Sequence, residues 1–276
     1  MSELVVSLTT IPPRLQYLKP FVESLKRQKL KPDRLELNLP AEYKFRSFTR
    51  ADLERIPGEF TVHVCEDVGP ATKVLPTLQR YKGTKTTIVY CDDDRVYSAN
   101  WLERLTYLSS ENSDCAIADE CMSIRAVALR HGMKKDWLYR LKRGLSLGLY
   151  RPYSYDKSSH PDVAEGFGGV LVKPSFFSDR VFDVPEECWA VDDIWLSANI
   201  HLAGKRIAYS SRSSRDKGRA LRIDRQDIGR NEDALTLNRF DGLARESLNY
   251  RAVQFCINDL GLWAKYKHLM SPTQSQ

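Results

Sequence analysis

The chain has 276 residues, 42% of them hydrophobic and 10% aromatic, with a formal net charge of +6. That is enough apolar material for one large α/β domain with a real core, and too much for a disordered chain. No apolar run approaches the roughly 20 residues of a membrane helix, no basic-then-apolar leader opens the sequence, and the six cysteines show no C-x-x-C spacing, so a cytoplasmic protein without a disulfide framework or zinc site is expected.

In chain order, Leu4 to Thr9 is a β-branched run halted by Pro12-Pro13, a strand and its loop. Leu15 to Gln28 carries apolar residues at helical spacing. Strands are expected at Leu35 to Leu39 and Phe60 to Val64, then a helix at Ala71 to Tyr81. Thr86 to Cys91 is nearly all apolar, as for a strand covered on both faces. A helix at Ala99 to Leu108 and a strand at Cys115 to Ala118 follow. This alternation predicts a largely parallel sheet between helices, with ligands at the carboxyl ends of its strands. Residues 131–165 interrupt it with a basic, aromatic stretch read as an insertion or flap. A strand near Gly168 to Lys173, a helix at Asp192 to Leu202 and a strand at Arg206 to Tyr209 come next, and a long helical segment is expected over Asp233 to His268.

The most informative segment is the buried strand ending in Asp92-Asp93-Asp94. Three adjacent carboxylates repel one another, and the repulsion grows as water is excluded. A hard divalent cation such as Mn²⁺ or Mg²⁺, shared with phosphate oxygens, relieves it. A polar turn leading into the next helix would also accommodate the triplet. The excess positive charge lies mainly in Arg130 to Arg151 and Arg206 to Arg230, which suits polyanionic partners or simply a solvated surface.

The hydrophobic strand ending in D-x-D resembles the motif of GT-A nucleotide-sugar glycosyltransferases, in particular family-2-like enzymes. By that resemblance Asp92 and Asp94 hold the metal and Asp93 stands between them, with the ligand register open. Other segments fall in the order the family would give. Val6 to Arg14 resembles its first strand and loop, putting Thr9 and Arg14 near the nucleotide. Glu66 to Lys73 resembles the segment in which an acid, here Asp67, meets the base and a lysine, here Lys73, reaches the phosphates. Glu165-Gly166-Phe167-Gly168-Gly169 resembles a glycine-rich stretch near the sugar, with Gly168 and Gly169 donor-binding. Asp192-Asp193 resembles the acidic pair of inverting enzymes, with Asp193 the general base and Asp192 its neighbour. Each segment has a plainer reading too: N-caps, bulges, and first-turn acids favoured by a helix dipole. The chain departs from the family pattern in having no histidine between His201 and His268 to complete the metal site.

The resemblance implies an α/β GT-A (Rossmann-like) fold, a mostly parallel sheet flanked by helices with a helical C-terminal segment. Residues 1–230 form the catalytic domain and 231–276 an extension. It implies a sugar moved from a nucleotide-diphosphate donor, UDP being commonest, to a glycan or lipid-linked glycan with inversion. Peripheral membrane contact through the basic insert fits this, and no nucleic acid is expected. A basic loop from Ser210 to Arg219 would close over the diphosphate. Two alternatives stand beside it. Asp92-x-Asp94-x-Val96 also fits the nucleophile motif of haloacid-dehalogenase-type phosphatases, though such a motif usually opens its fold. A non-catalytic polyanion binder would explain the basic stretches but not acids at two element boundaries.

Overall fold

The computed structural model describes residues 2–42, 47–131, 161–210 and 242–270, together with Leu141, Leu145 and three two-residue strands between 219 and 227. Most of the 131–165 insert and residues 211–218 of the basic loop lie outside the described residues, as does the start of the expected C-terminal helix.

Strands are β1 (Leu4–Thr9), β2 (Arg34–Pro40), β3 (Thr61–Cys65), β4 (Thr87–Tyr90), β5 (Arg95–Val96), β6 (Cys115–Ala118), β7 (Cys121–Met122), β8 (Val163–Ala164), β9 (Val170–Val172) and β10 (Arg206–Tyr209). Helices are α1 (Leu18–Lys26), α2 (Arg50–Leu53), α3 (Leu75–Arg80), α4 (Trp101–Glu111), α5 (Ile124–His131), α6 (Asp192–Leu202) and α7 (Arg245–Asn258). Seven strands form one sheet in the order β10-β6-β9-β4-β1-β2-β3. All neighbours pair in parallel except β9, which runs antiparallel between β4 and β6.

Alternation along β1 builds both faces of the core. Val6 and Leu8 face α1 and α4, whose Phe21, Leu25, Trp101 and Leu105 cover them. Val5 faces the other way, toward Leu75 and Leu78 of α3 and Leu196 and Ile200 of α6. Helix α6 is buried throughout Asp192–Ile200, because α5 and α7 pack on its outer side through Val127, Ile194, Trp195, Ala252 and Val253. Only a helix apolar on nearly all sides fits such a place. Among the described residues no helix is long and apolar enough to cross a membrane.

Several expectations change in detail. The helix expected from Leu15 begins as a 3₁₀ turn at Pro12–Tyr17, since the Pro12-Pro13 pair fixes the entry and α-helical bonding starts only at Leu18. The helix expected from Ala71 likewise opens as a 3₁₀ turn, Gly69–Lys73, and becomes α-helical at Leu75 with Pro76 in its first turn. The C-terminal helix is not continuous to His268. Helix α7 ends at Asn258, where the Leu262 N–H returns to the Cys256 carbonyl at 3.0 Å and Gly261 takes a φ of +68°. A 3₁₀ turn, Ala264–Leu269, follows.

Candidate functional site

Strand β1 sits where the sheet reverses its order: the chain steps from β1 outward through β2 and β3, then returns to place β4 on the other side of β1. The crevice outside the carboxyl ends of two such strands is the standing ligand site of an open α/β sheet. Here it receives Thr10 and Arg14 after β1 and Asp92, Asp93 and Asp94 after β4.

The triplet is neutralised from two sides. Lys73 Nζ donates to Asp92 Oδ1 at 2.7 Å. Arg14 Nη2 pairs with Asp93 Oδ1 and, at 2.9 Å, with Asp94 Oδ2. Asp93 turns inward and is buried, with Thr10 Oγ1 donating to its Oδ2 at 2.5 Å. Burial pushes Asp93 up to about 6, against Arg14 and helped by its two acidic neighbours. Burial would raise Asp92 as well, but Lys73 and its hydrogen bond hold it below the usual carboxylate range. Arg14 loses hydration by burial and is nevertheless raised, because three aspartates surround it.

Lys73 is the joint of the site. Its ammonium also lies 3.0 Å from Asp192 Oδ2, so one cation bridges the β4 turn and the start of α6. Ser7 Oγ fixes its backbone by donating to the Lys73 carbonyl at 2.6 Å. A Cβ on Gly166 would stand 2.6 Å from the Nζ, so a larger residue there would push the ammonium off its position between the two acids. Burial opposes the Lys73 charge, yet Asp192, Asp92 and Asp193 raise its pKa well above the ordinary value.

Asp193 is buried beside this bridge, and its Oδ1 accepts the Gly166 N–H at 2.9 Å. Burial first, then the Asp192 charge, pushes its carboxyl up to about 7, against the pull of Lys73. A carboxylate titrating near neutrality is suited to general base chemistry.

The remaining expected residues fall around this centre. Thr9 Oγ1 donates to the Asn38 carbonyl at 2.8 Å, one strand away from the triplet. Asp67 Oδ1 accepts the Gly69 N–H at 2.9 Å at the entry to the turn carrying Lys73. Gly168 and Gly169 make room for protein rather than for open space: a Cβ on Gly168 would lie 2.8 Å from Glu120, and one on Gly169, at a φ of +89°, would run into the Trp101 ring. The 3₁₀ turn Gly166–Gly168 spans the two halves of the site, with the Arg95 guanidinium 4.5 Å over the Phe167 ring and Tyr97 Oη donating to the Phe167 carbonyl at 3.0 Å.

Four groups escaped the sequence reading. Glu165 lies next to Asp193 with its Oε2 buried and without a hydrogen-bond partner among the described residues. Burial, then Asp193, pushes it up to about 8. Asp119 and Glu120 directly follow β6, and Asp119 is buried against Arg104 and Ser210. Arg245 Nη1 donates to the Ala190 carbonyl at 2.7 Å, clamping the segment that leads into Asp192. The rule that singled out the acids after β4 applies equally to those after β6, so Asp119 and Glu120 were within reach. Arg245 carried no signal, because α7 is far away in sequence.

The donor chemistry suits a hard divalent cation in part. Among the described residues Asp94 Oδ1 is buried with no hydrogen-bond partner, Arg95 Nε standing 3.7 Å away, and Asp92 remains about one third exposed. Two carboxylates leave the other positions to phosphate oxygens and water, the usual arrangement for Mg²⁺. Among the described residues no group of three or more His, Cys, Asp or Glu is placed to hold a metal.

Neither a family model nor a curated protein sequence matches the chain. Solved structures do. Staphylococcus aureus TarS superposes with a TM-score of 0.50 at 12% identity, over 94% of this chain and 40% of that one. The chain has a GT-A-type glycosyltransferase fold. Within that fold two further structures are similar. The 1–349 fragment of TarS in complex with UDP aligns over 99% of this chain and 76% of that one, with 13% identity and a TM-score of 0.49. The mannosyltransferase PcManGT from Pyrobaculum calidifontis, in complex with GDP-Man and Mn²⁺, aligns over 75% and 54%, with 16% identity and a TM-score of 0.45. The chain thus spans less than half the length of TarS and about half that of PcManGT.

Proposed function

We propose that this chain is a metal-assisted glycosyltransferase that moves a sugar from a nucleoside-diphosphate sugar to a glycan hydroxyl with inversion. The observation that carries the reading is the Lys73 bridge, 2.7 Å to Asp92 and 3.0 Å to Asp192, which makes one site of an acidic turn and an acidic helix start 100 residues apart. A turn suited to a phosphate-bound cation beside a candidate general base is what a group transfer of this kind needs.

Asp92 and Asp94 would hold Mn²⁺ or Mg²⁺, which when bound neutralises a diphosphate leaving group. Arg14 and Lys73 supply fixed positive charge at the same end of the cleft. Asp193 accepts the proton of the attacking hydroxyl, and the Gly166 N–H orients its carboxylate. Asp192 keeps Lys73 in place. Thr9 and Asp67 border the nucleotide side, and Gly168 and Gly169 shape the turn beneath the sugar. A phosphatase with Asp92 as nucleophile belongs to a different fold and is set aside.

The test is a calorimetric titration of UDP and GDP, with and without Mn²⁺, on the wild type and on Asp94→Ala. Metal-dependent binding that disappears in the variant is expected. Absence of binding by every nucleotide with every metal would sink the reading. The acceptor is a glycan or lipid-linked glycan met at the cytoplasmic face of a membrane, a proposal supported by the basic and aromatic composition of 131–165. Charge-neutral replacement of the Lys and Arg residues there should weaken co-sedimentation with anionic vesicles, and unchanged sedimentation would refute the membrane contact.

A further inference from the structure

A buried carboxyl without a partner calls for an explanation, since native structures leave few such atoms. Glu165 Oε2 is one such atom here, buried and without a hydrogen-bond partner among the described residues. Its backbone is fixed, the N–H donating to the Glu120 carbonyl at 2.9 Å and the carbonyl accepting from Gly168 at 3.2 Å. The next residue, Gly166, is the one whose N–H holds Asp193. The turn that starts at Glu165 crosses the site as far as Arg95 and the triplet. The side chain therefore stands on the Asp193 side of the cleft, away from Asp92 and Asp94, where the reading above places the acceptor.

We propose that Glu165 is a second functional carboxyl of the acceptor side, keeping its proton and donating a hydrogen bond to an acceptor oxygen while Asp193 removes the proton of the attacking hydroxyl. This rests on the transferase reading. The charged groups facing Glu165 are Asp193 on α6, Glu120 after β6, Arg130 on α5 and Arg245 at the start of α7. Burial and the two acids keep the proton on; the two arginines oppose them and do not prevail, so the carboxyl is pushed up to about 8. A neutral acid serves as a donor in a site that also needs a charged base, a division of labour that environment alone can impose on two carboxyls. Proton balance is simple: the acceptor O–H bond breaks toward Asp193, the new glycosidic bond forms, the nucleotide leaves, and Glu165 ends the step with the proton it began with.

Two measurements on the wild type, Glu165→Gln and Glu165→Ala test this. The first follows carboxyl carbons of ¹³C-Glu/Asp-labelled protein by NMR against pH, alongside calorimetry of UDP and GDP with Mn²⁺. A glutamate that stays protonated to about pH 8, is missing in Glu165→Gln and Glu165→Ala, and moves down in an added Asp193→Asn protein is expected, with nucleotide binding equal in all four proteins. No such glutamate, in a protein that binds nucleotide, overturns the inference and leaves the transferase reading standing. Such a glutamate without nucleotide binding removes the transferase reading and the acceptor role with it. The second measures nucleotide release from UDP- and GDP-sugars with monosaccharide acceptors or water. Glu165→Gln, whose amide still donates, should keep its rate within a few-fold and lose the fall in rate above pH 8. Glu165→Ala should lose roughly tenfold below pH 8, the deficit shrinking above it where the wild-type carboxyl has given up its proton. Identical rates and pH profiles in all three proteins overturn the inference.

Discussion

Replacing Lys73 with methionine would leave Asp92 and Asp192 facing each other without their shared cation. Breaking a buried pair from one side typically costs about 3–5 kcal/mol, so a marked fall in melting temperature and loss of nucleotide binding are expected by scanning calorimetry and titration. Lys73→Arg should fail as well, because Gly166 leaves no room around the ammonium for a wider head group. Asp193 sets the pH dependence of turnover. It must be ionised to act as base and its carboxyl is pushed up to about 7, so the rate should climb with pH through that value. Asp193→Asn should abolish the rate while preserving nucleotide binding, and a variant that still turns over would remove Asp193 from the role. Gly169→Ala, with its φ of +89° and the Trp101 ring behind it, should destabilise by about 2 kcal/mol or more, read as a lowered urea midpoint.

Helix α6 matters as an element because it presents two acids on the cleft side and a mostly apolar surface elsewhere, with Ser197 and Asn199 buried and hydrogen-bonded. Trp195 anchors it, almost fully buried, with Nε1 donating to the Val181 carbonyl at 2.8 Å. Trp195→Ala should cost about 3–5 kcal/mol. The same helix start and the turn beside it make stability depend on pH. Asp193 and Glu165 are raised in the folded protein to about 7 and about 8 from ordinary values near 4. The native state therefore holds protons that the unfolded chain has released, and stability contributed by these two groups is full at about pH 4 and lost as pH rises to 8. Asp92 and Glu36, both lowered, act in the opposite sense below pH 4. The melting temperature of ligand-free protein should fall between pH 5 and 8, and Glu165→Gln should flatten that decline; a flat wild-type curve would contradict it.

At the scale of the molecule, the apolar cover over the outer side of α6 comes from α5 and α7, so residues 242–270 share a core with the segment that carries the candidate base. How much of this was legible follows from range. Strand alternation, the fully apolar run before Asp92, and carboxylates at strand ends are local signals, and they gave the α/β order, the position of the triplet and the acids opening α6. The same signals could not show that β9 inserts antiparallel between β4 and β6, because a three-residue apolar strand reads the same in either direction. Nor could they show where α7 breaks, which depends on left-handed backbone at Gly261 and Trp263. By itself the sequence determined which residues are apolar, acidic or basic and in what order, hence the layers of the fold and the chemistry available to it. Only the tertiary structure decided that Lys73 stands between Asp92 and Asp192, that Asp93 turns inward to Thr10 and Arg14, and that Glu165 is left buried beside Asp193. These are contacts between segments 19 to 119 residues apart, and their energies come from burial and neighbouring charge, which exist only once the sheet has brought the strand ends together.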